Sequence, residues 1–285
     1  MNERRRGILF IAAAALLWSS GGIGIKAVAA SPLTINFYRS FFAAIALMLF
    51  LRGDVLRRRW QSTPVFLFAV VSYAMTLTTF VVATKWTTAA NAIFLQYAGV
   101  IWVLLLSPIV VREPMRSRDV LAIAVALGGM ALFFVGRFES RGMAGNVMAL
   151  VSSFFFAFLI LCLRREQRAA QAAVTWGNVA CAAATLPFMA HELAQPPRAF
   201  AVLLFLGFFQ IALAYVLFVR GLAYVTATQA SLTGMLEPVC NPIWVFAFFG
   251  ERPSPFAIGG AIVVLAAIAW HTLGGEPAAD LPAPD

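Results

Sequence analysis

Four polar residues, Gln229, Thr233, Glu237 and Asn241, recur at every fourth position through an otherwise apolar stretch that contains "SLTGMLEPVCNPIW" at 231–244. On a helix this spacing draws one slowly drifting stripe along a single face. Glu237 is the only acid set deep in an apolar run, and two chemistries are open to it. It can bind a proton or a substrate ammonium, or it can be locked in a hydrogen-bond network, neutral or paired with Lys26 or Arg39. Pro238 and Pro242 have no N–H, so in a continuous helix the carbonyls of Gly234 and Pro238 lose their usual donors. Within a bilayer, freed carbonyls and a carboxylate are tolerated only where protein or a water-filled cavity receives them. The stretch therefore reads as a kinked cavity wall.

Other residues suit the same cavity. Trp18, Ser19 and Ser20 precede Gly21, Gly22 and Gly24, small residues that let backbones approach closely while the Trp18 ring faces inward. "GGIGIK" is not a phosphate loop, because its Lys neither follows Gly directly nor precedes Ser or Thr. Tyr73, Thr76, Asn91, Gln96, Tyr97, Trp102, Gln210 and Tyr215 add aromatic faces and neutral polar groups, and Phe156 in "SSFFFAF" joins them. Lys26 and Arg39 lie toward the ends of apolar runs, where long basic side chains snorkel to the interface. The alternative for both is capture of a carboxylate or phosphate, for which Arg offers bidentate geometry. With few fixed charges, such a pocket suits zwitterions carrying apolar or aromatic side chains better than polyanions.

No catalytic, metal or cofactor site is expected. His191 and His271 lack a second ligand at metal spacing, there is no HExxH and no nucleophile–base pairing. Cys162, Cys181 and Cys240 are scattered and read as small buried hydrophobes. Glu113 and Glu251, beside basic residues at helix ends, read as loop ion pairs.

The elements that must position these residues follow from composition. Of 285 residues 62% are hydrophobic and 12% charged, with mean hydropathy +0.87, against about half and a quarter in soluble domains. Apolar runs of the roughly 20 residues needed to cross a bilayer fall at 7–29, 33–51, 64–83, 89–111, 119–136, 143–163, 172–190, 199–220, 227–249 and 255–273. This predicts an all-α integral membrane protein of ten transmembrane helices, enough to enclose a cavity in one chain, so a monomer suffices. The net charge of +9 does not point to nucleic acid, because the basic residues fall mainly in alternate loops. One set holds Arg4–Arg6, Arg52, Arg57–Arg59, Arg112, Arg116, Arg118, Arg164, Arg165, Arg168 and Arg220. The other holds Lys85, Arg137, Arg141, Arg198 and Arg252, so the split is 14 against 5. The positive-inside rule then predicts both termini on the cytoplasmic side of the cell's inner membrane. The basic start followed by an apolar run also fits a cleavable signal peptide, but the run continues to about Ala29 and takes part in a repeat.

That repeat has an offset of 138 residues. It lays "WTTAANA" (86–92) over "YVTATQA" (224–230), "AALLWSSGGIGIK" (14–26) over "SSFFFAFLILCLR" (152–164), and residues 76–86 over 214–224. Trp18 meets Phe156, Lys26 meets Arg164, and Glu113 meets Glu251. Each copy holds five spans, an odd number, so the second copy must enter the membrane from the opposite face. The expected units are 1–140, an inverted second copy at 141–274, and a short disordered tail at 275–285. Inverted repeats of this kind characterise secondary transporters, whose substrate site lies near the midplane at the repeat interface.

Taken together, "ALLWSSGGIGIKAVAASPLTINFYRS", the T-A-x-x-A openings of spans four and nine, "LEPV" at 236–239 and "GERPSPFAIGGAIVVLAAIAW" at 250–270 make a chain that resembles the drug/metabolite transporter superfamily, specifically its EamA-type ten-helix branch. The resemblance implies a single-chain carrier of small metabolites, often an exporter of amino acids, working without ATP hydrolysis of its own. Two departures stand out: "VVREPMRSR" replaces the usual "LGER", and Gly99 stands where span nine has Glu237. The expectation is a secondary transporter exporting small metabolites, amino acids first, by alternating access, with a small-molecule substrate and the lipid bilayer as partners. Drug or cation efflux, a sugar-phosphate carrier, and a membrane-embedded lipid-modifying enzyme are the alternatives.

Overall fold

The computed structural model describes residues 2–51, 64–133, 135, 142–189, 192–250 and 254–274. Arg52, Arg57–Arg59, Arg137, Arg141, His191, Glu251, Arg252 and the tail 275–285 lie outside them. Among the described residues every regular element is helical: α1 (Glu3–Trp18), α2 (Gly21–Ala27), α3 (Pro32–Phe50), α4 (Pro64–Trp86), α5 (Ala89–Gln96), α6 (Gly99–Val110), α7 (Ser117–Leu132), α8 (Met143–Arg165), α9 (Gln167–Thr185), a 3₁₀ turn (Leu186–Phe188), α10 (Pro197–Phe205), a π-helical segment (Leu206–Leu213), α11 (Ala214–Leu222), α12 (Ala227–Gly234), α13 (Leu236–Phe249) and α14 (Pro255–Leu273).

Seven stretches among the described residues are long and apolar enough to cross a bilayer: Glu3–Ala27, Pro32–Phe50, Pro64–Trp86, Ala89–Val110, Met143–Arg165, Pro197–Leu222 and Pro255–Leu273. The chain is thus a multi-pass membrane protein. The other three expected spans correspond to α7, 16 residues long, to the alanine-rich α9, and to the α12–α13 pair. Large apolar side chains such as Leu49, Ile109, Phe248 and Ile262 stand exposed on the outer faces, as lipid contact requires.

The most extensive packing joins the two sequence halves, and it comes in twins. α4 lies along α8 just as α1 lies along α11. At one crossing the Cβ that Gly7 lacks would sit 2.7 Å from Tyr224 Cβ; at the other, that of Gly145 would sit 2.8 Å from the Trp86 carbonyl carbon. Gly7 and Gly145 are repeat mates, as are Tyr224 and Trp86, so one close approach is made twice. Both pairs run antiparallel: Ser152 Oγ donates to Thr76 O over 3.1 Å and Phe158 meets Phe68, while Trp18 meets Tyr215. α3 packs on α9, and α7 on α14, where Asp119 and His271 are 2.7 Å apart.

Three spans are interrupted in mid-course. α1 ends at Trp18, and the hydroxyls of Ser19 and Ser20 donate back to Leu16 O and Leu17 O, local bonds that compete with helix continuation. α5 gives way to α6 at Tyr97–Ala98, and α12 to α13 at Met235. Tyr97 and Met235 are repeat mates. The break replaces the expected kink at Pro238 with a restart: Pro238 occupies the first turn of α13, where N–H groups have no helical partner anyway.

Candidate functional site

The interruptions of the α1–α2, α5–α6 and α12–α13 spans and the π segment converge on two adjoining chambers. One is polar, lined by Arg39, Thr76, Gln96, Gln210, Tyr215 and Glu237, with Leu77, Phe80 and Ile211 between them. The other is apolar, lined by Val100, Ile160, Phe218, Ala230 and Gly234 among others. Trp18, Gln96 and Phe156 belong to both walls. The cavities are about 30 Å³ and 10 Å³, room for a water or two, so the walls must part before anything of amino-acid size enters.

Glu237 stands in the first turn of α13, 6% exposed. The N-terminal end of a helix favours negative charge there. Its Oε2 lies 2.9 Å from Tyr97 Oη, and the same hydroxyl lies 2.6 Å from Gly234 O. Gly234 O, in the last residue of α12, can receive no N–H from Pro238 four residues on, and Tyr97 supplies a donor across the repeat interface. A phenol has one hydrogen for these two acceptors. When that hydrogen goes to Gly234, the contact with Glu237 is completed only by a hydrogen from Glu237 itself.

Arg39, 1% exposed on α3, corrects the snorkelling expectation: its guanidinium is buried inside the bundle. Nη2 donates to Gln210 Oε1 over 2.8 Å, while Nε and Nη1 have no hydrogen-bond partner among the described residues. The π segment, of a kind that recurs at functional sites, presents Gln210, and Gly207 lets it lie against α3, where a Cβ would come within 2.4 Å of Phe42 Cβ. Gln210 Nε2 reaches Trp18 O at 3.4 Å. Aromatic rings close the site: Trp18 meets Tyr215 and Phe218 with centroids 5.0 Å apart and Phe156 at 6.0 Å.

Of the residues expected on the cavity, Trp18, Thr76, Gln96, Tyr97, Phe156, Gln210, Tyr215 and Glu237 line the chambers together with Arg39. The others lie elsewhere. Trp102 is 41% exposed and packs edge-on to Phe154 on the outer surface. Asn91 donates to Thr87 Oγ1 at the start of α5. Ser19 accepts from Trp244 Nε1 at 2.7 Å, and the Ser20 hydroxyl is spent on Leu17 O. Tyr73 is one layer behind, its ring 4.8 Å from Tyr215 and its hydroxyl accepting from Asn178. The four-residue stripe does not hold as one face, because Met235 breaks it. Gln229 accepts from Arg4 Nε at 3.1 Å, Thr233 is buried outside the chamber walls, and Asn241 lies by Gly22. Lys26 is exposed and donates to Thr87 O, so neither it nor Arg39 is hydrogen-bonded to Glu237. Glu113 is more than a loop ion pair: its Oε1 meets Arg164 Nε at 2.7 Å with both side chains largely buried, and its Oε2 accepts from Ala227 N.

Residues the sequence reading did not place on the walls include Phe218 and Ser231. Tyr97 is expected there only for its aromatic face; the carbonyl that Pro238 cannot serve is the further signal that its hydroxyl donates.

Residues 5–135 and again 143–273 match the EamA-like transporter family. The chain belongs to that family. It is 27% identical over 274 residues to an uncharacterized transporter of Archaeoglobus fulgidus, covering 94% of this chain and 97% of that one. It is 28% identical over 271 residues to the uncharacterized transporter YwfM of Bacillus subtilis, covering 90% of each. A solved crystal structure superposes with TM-score 0.80 over 95% of this chain and 98% of the other at 19% identity, which shows a shared fold. Family and relatives alike make this EamA-like protein a membrane transporter rather than an enzyme.

Proposed function

We propose that this EamA-like chain exports small zwitterionic metabolites, amino acids with apolar or aromatic side chains first, across the cytoplasmic membrane by alternating access. The observation that carries the reading is one buried cation, Arg39, and one buried carboxylate, Glu237, on the wall of a single chamber, next to an apolar chamber that shares Trp18 and Phe156. Interrupted helices around a mid-membrane site are how secondary transporters hold ligands. The twin crossings Gly7–Tyr224 and Gly145–Trp86 and the antiparallel α4–α8 pairing support two inverted units of five spans, 1–140 and 141–274. The arginine distribution supports cytoplasmic termini. Thr76, Gln96, Gln210 and Tyr215 complete the proposed wall, and one chain suffices to build it.

The test is counterflow in proteoliposomes preloaded with single amino acids, with pH set independently on the two faces. Labelled leucine, phenylalanine or tyrosine should exchange, and Glu237→Gln should weaken the flux and remove its pH dependence while folded yield is kept. Absence of counterflow for every amino acid removes the substrate class; a normal flux and pH profile in Glu237→Gln removes the role of that carboxylate.

A further inference from the structure

Resting on the transport reading above, we infer that Arg39 is the residue that receives the substrate carboxylate, with Glu237 receiving the ammonium and the side chain entering the apolar chamber under Trp18.

Arg39 is spent on one side only. Its single described bond, Nη2 to Gln210, fixes the guanidinium plane through a glutamine that also reaches Trp18 O. Two further donor atoms, Nε and Nη1, have no partner among the described residues although Arg39 is 1% exposed. Buried donors are expensive to leave unpaired, and a charged one more so. A planar group with spare donors matches a carboxylate in fork geometry. Glu237 provides the opposite pole, with one oxygen engaged by Tyr97 and the other without a described hydrogen bond.

The repeat explains why each charge is single. The mate of Arg39 is Gly177, and a Cβ there would come within 2.6 Å of the Tyr73 ring; the mate of Glu237 is Gly99, and a Cβ there would come within 2.7 Å of Ser153 O. Neither mate has room for a side chain. A site near a pseudo-two-fold axis thus holds one cation and one anion rather than two of each, which is a dipolar site for a dipolar ligand. A monoanion alone leaves Glu237 repelled, and a monocation alone leaves Arg39 unpaired.

Competition against labelled phenylalanine in proteoliposomes of the full chain tests this, with phenethylamine (no carboxylate), 3-phenylpropanoate (no ammonium) and glucose 6-phosphate as rivals. In the wild type both truncated analogues should compete at least about tenfold more weakly than phenylalanine, since a site built around a polar group rejects ligands that lack it. Arg39→Gln should weaken phenylalanine about a hundredfold and leave phenethylamine where it was; Arg39→Lys, which keeps charge without the fork, should fall between. Glu237→Gln should give the mirror result, sparing 3-phenylpropanoate. Wild-type exchange of phenylalanine together with equal losses of phenylalanine and phenethylamine in folded Arg39→Gln overturns the assignment and leaves transport standing. If Arg39→Gln does not fold, the wild-type series decides alone: phenethylamine matching phenylalanine, or glucose 6-phosphate exceeding it, overturns the assignment. No exchange of any amino acid by the wild type overturns the transport reading itself.

Discussion

Tyr97→Phe removes one oxygen from the repeat interface and strands two acceptors at once. Gly234 O loses its 2.6 Å partner, and Glu237 Oε2 its 2.9 Å partner. An unsatisfied buried acceptor costs about 1–3 kcal/mol. A water in the 30 Å³ chamber can relieve Glu237, whereas the Gly234 carbonyl is held between α5 and α12. The expected loss of folding stability is therefore about 2 kcal/mol, most of it from Gly234. Pro238 sharpens the test, because it stands four residues beyond Gly234 and has no N–H to turn toward that carbonyl across the break. Pro238→Ala restores an N–H that can be directed at Gly234 O, so in that background Tyr97→Phe should cost about 1 kcal/mol less. Denaturant unfolding of the purified protein in mixed micelles, read by tryptophan fluorescence for wild type, both single variants and the double variant, measures that coupling. Additivity within about 0.5 kcal/mol would refute the claim that Tyr97 replaces the donor Pro238 removes.

Arg164→Ala should destabilise the fold by about 3–5 kcal/mol, because it leaves the Glu113 carboxylate buried and unpaired while that group still caps Ala227 N; the same unfolding assay checks it, and a change below about 1 kcal/mol would mean the pair is effectively solvated. Gly99→Ala forces a Cβ to within 2.7 Å of the Ser153 carbonyl oxygen and should cost about 1–3 kcal/mol, whereas Gly128→Ala, with nothing within 4 Å of the new Cβ, should be neutral or stabilising by up to about 1 kcal/mol. Between the spans, bonds from the Thr34 hydroxyl and the Ser31 amide hold the Glu192 carboxyl below its ordinary 4.5. That bond to the start of α3 is present above the ordinary carboxylate range and is lost as pH falls through the lowered value. The protection factor of the Ser31 amide, its exchange rate corrected for the intrinsic pH dependence, should therefore fall in acid, and Glu192→Gln should remove most of that change.

The all-helical character and the transporter family were legible because both rest on long-range pattern: apolar runs of bilayer length and a 138-residue repeat that needs no side-chain geometry. The chamber was legible where chemistry is costly, at Glu237, Gln210 and Gln96, since a polar group in an apolar span must meet protein. Register was not legible. The four-residue stripe presumed a continuous helix, and the stop at Met235 turns Gln229 toward Arg4 while Ala230 and Ser231 take the chamber wall. Ser19 and Ser20 were assigned to the cavity for being small and polar; the same properties let them bond backward and end α1. Arg39 read as a snorkelling side chain because its distance along the span says nothing about which way α3 faces.

The matched breaks have a physical use that neither half shows alone. Interrupting a helix inside a bilayer orphans backbone groups, and each orphan must find a partner within protein. At the α12–α13 break the orphan is Gly234 O, and the donor comes from Tyr97, the residue at the equivalent α5–α6 break. The first half completes the defect of the second, so the α12–α13 break is held by this bond only while the halves are together. Because the single Tyr97 hydrogen is contested by Gly234 O and Glu237 Oε2, whatever engages Glu237, a proton or an ammonium, changes how firmly that hydrogen is held to Gly234. Occupancy of the chamber and strength of the interface bond are therefore linked through one atom, and a linkage of this kind is what a carrier needs if ligand binding is to shift the balance between two arrangements of its halves.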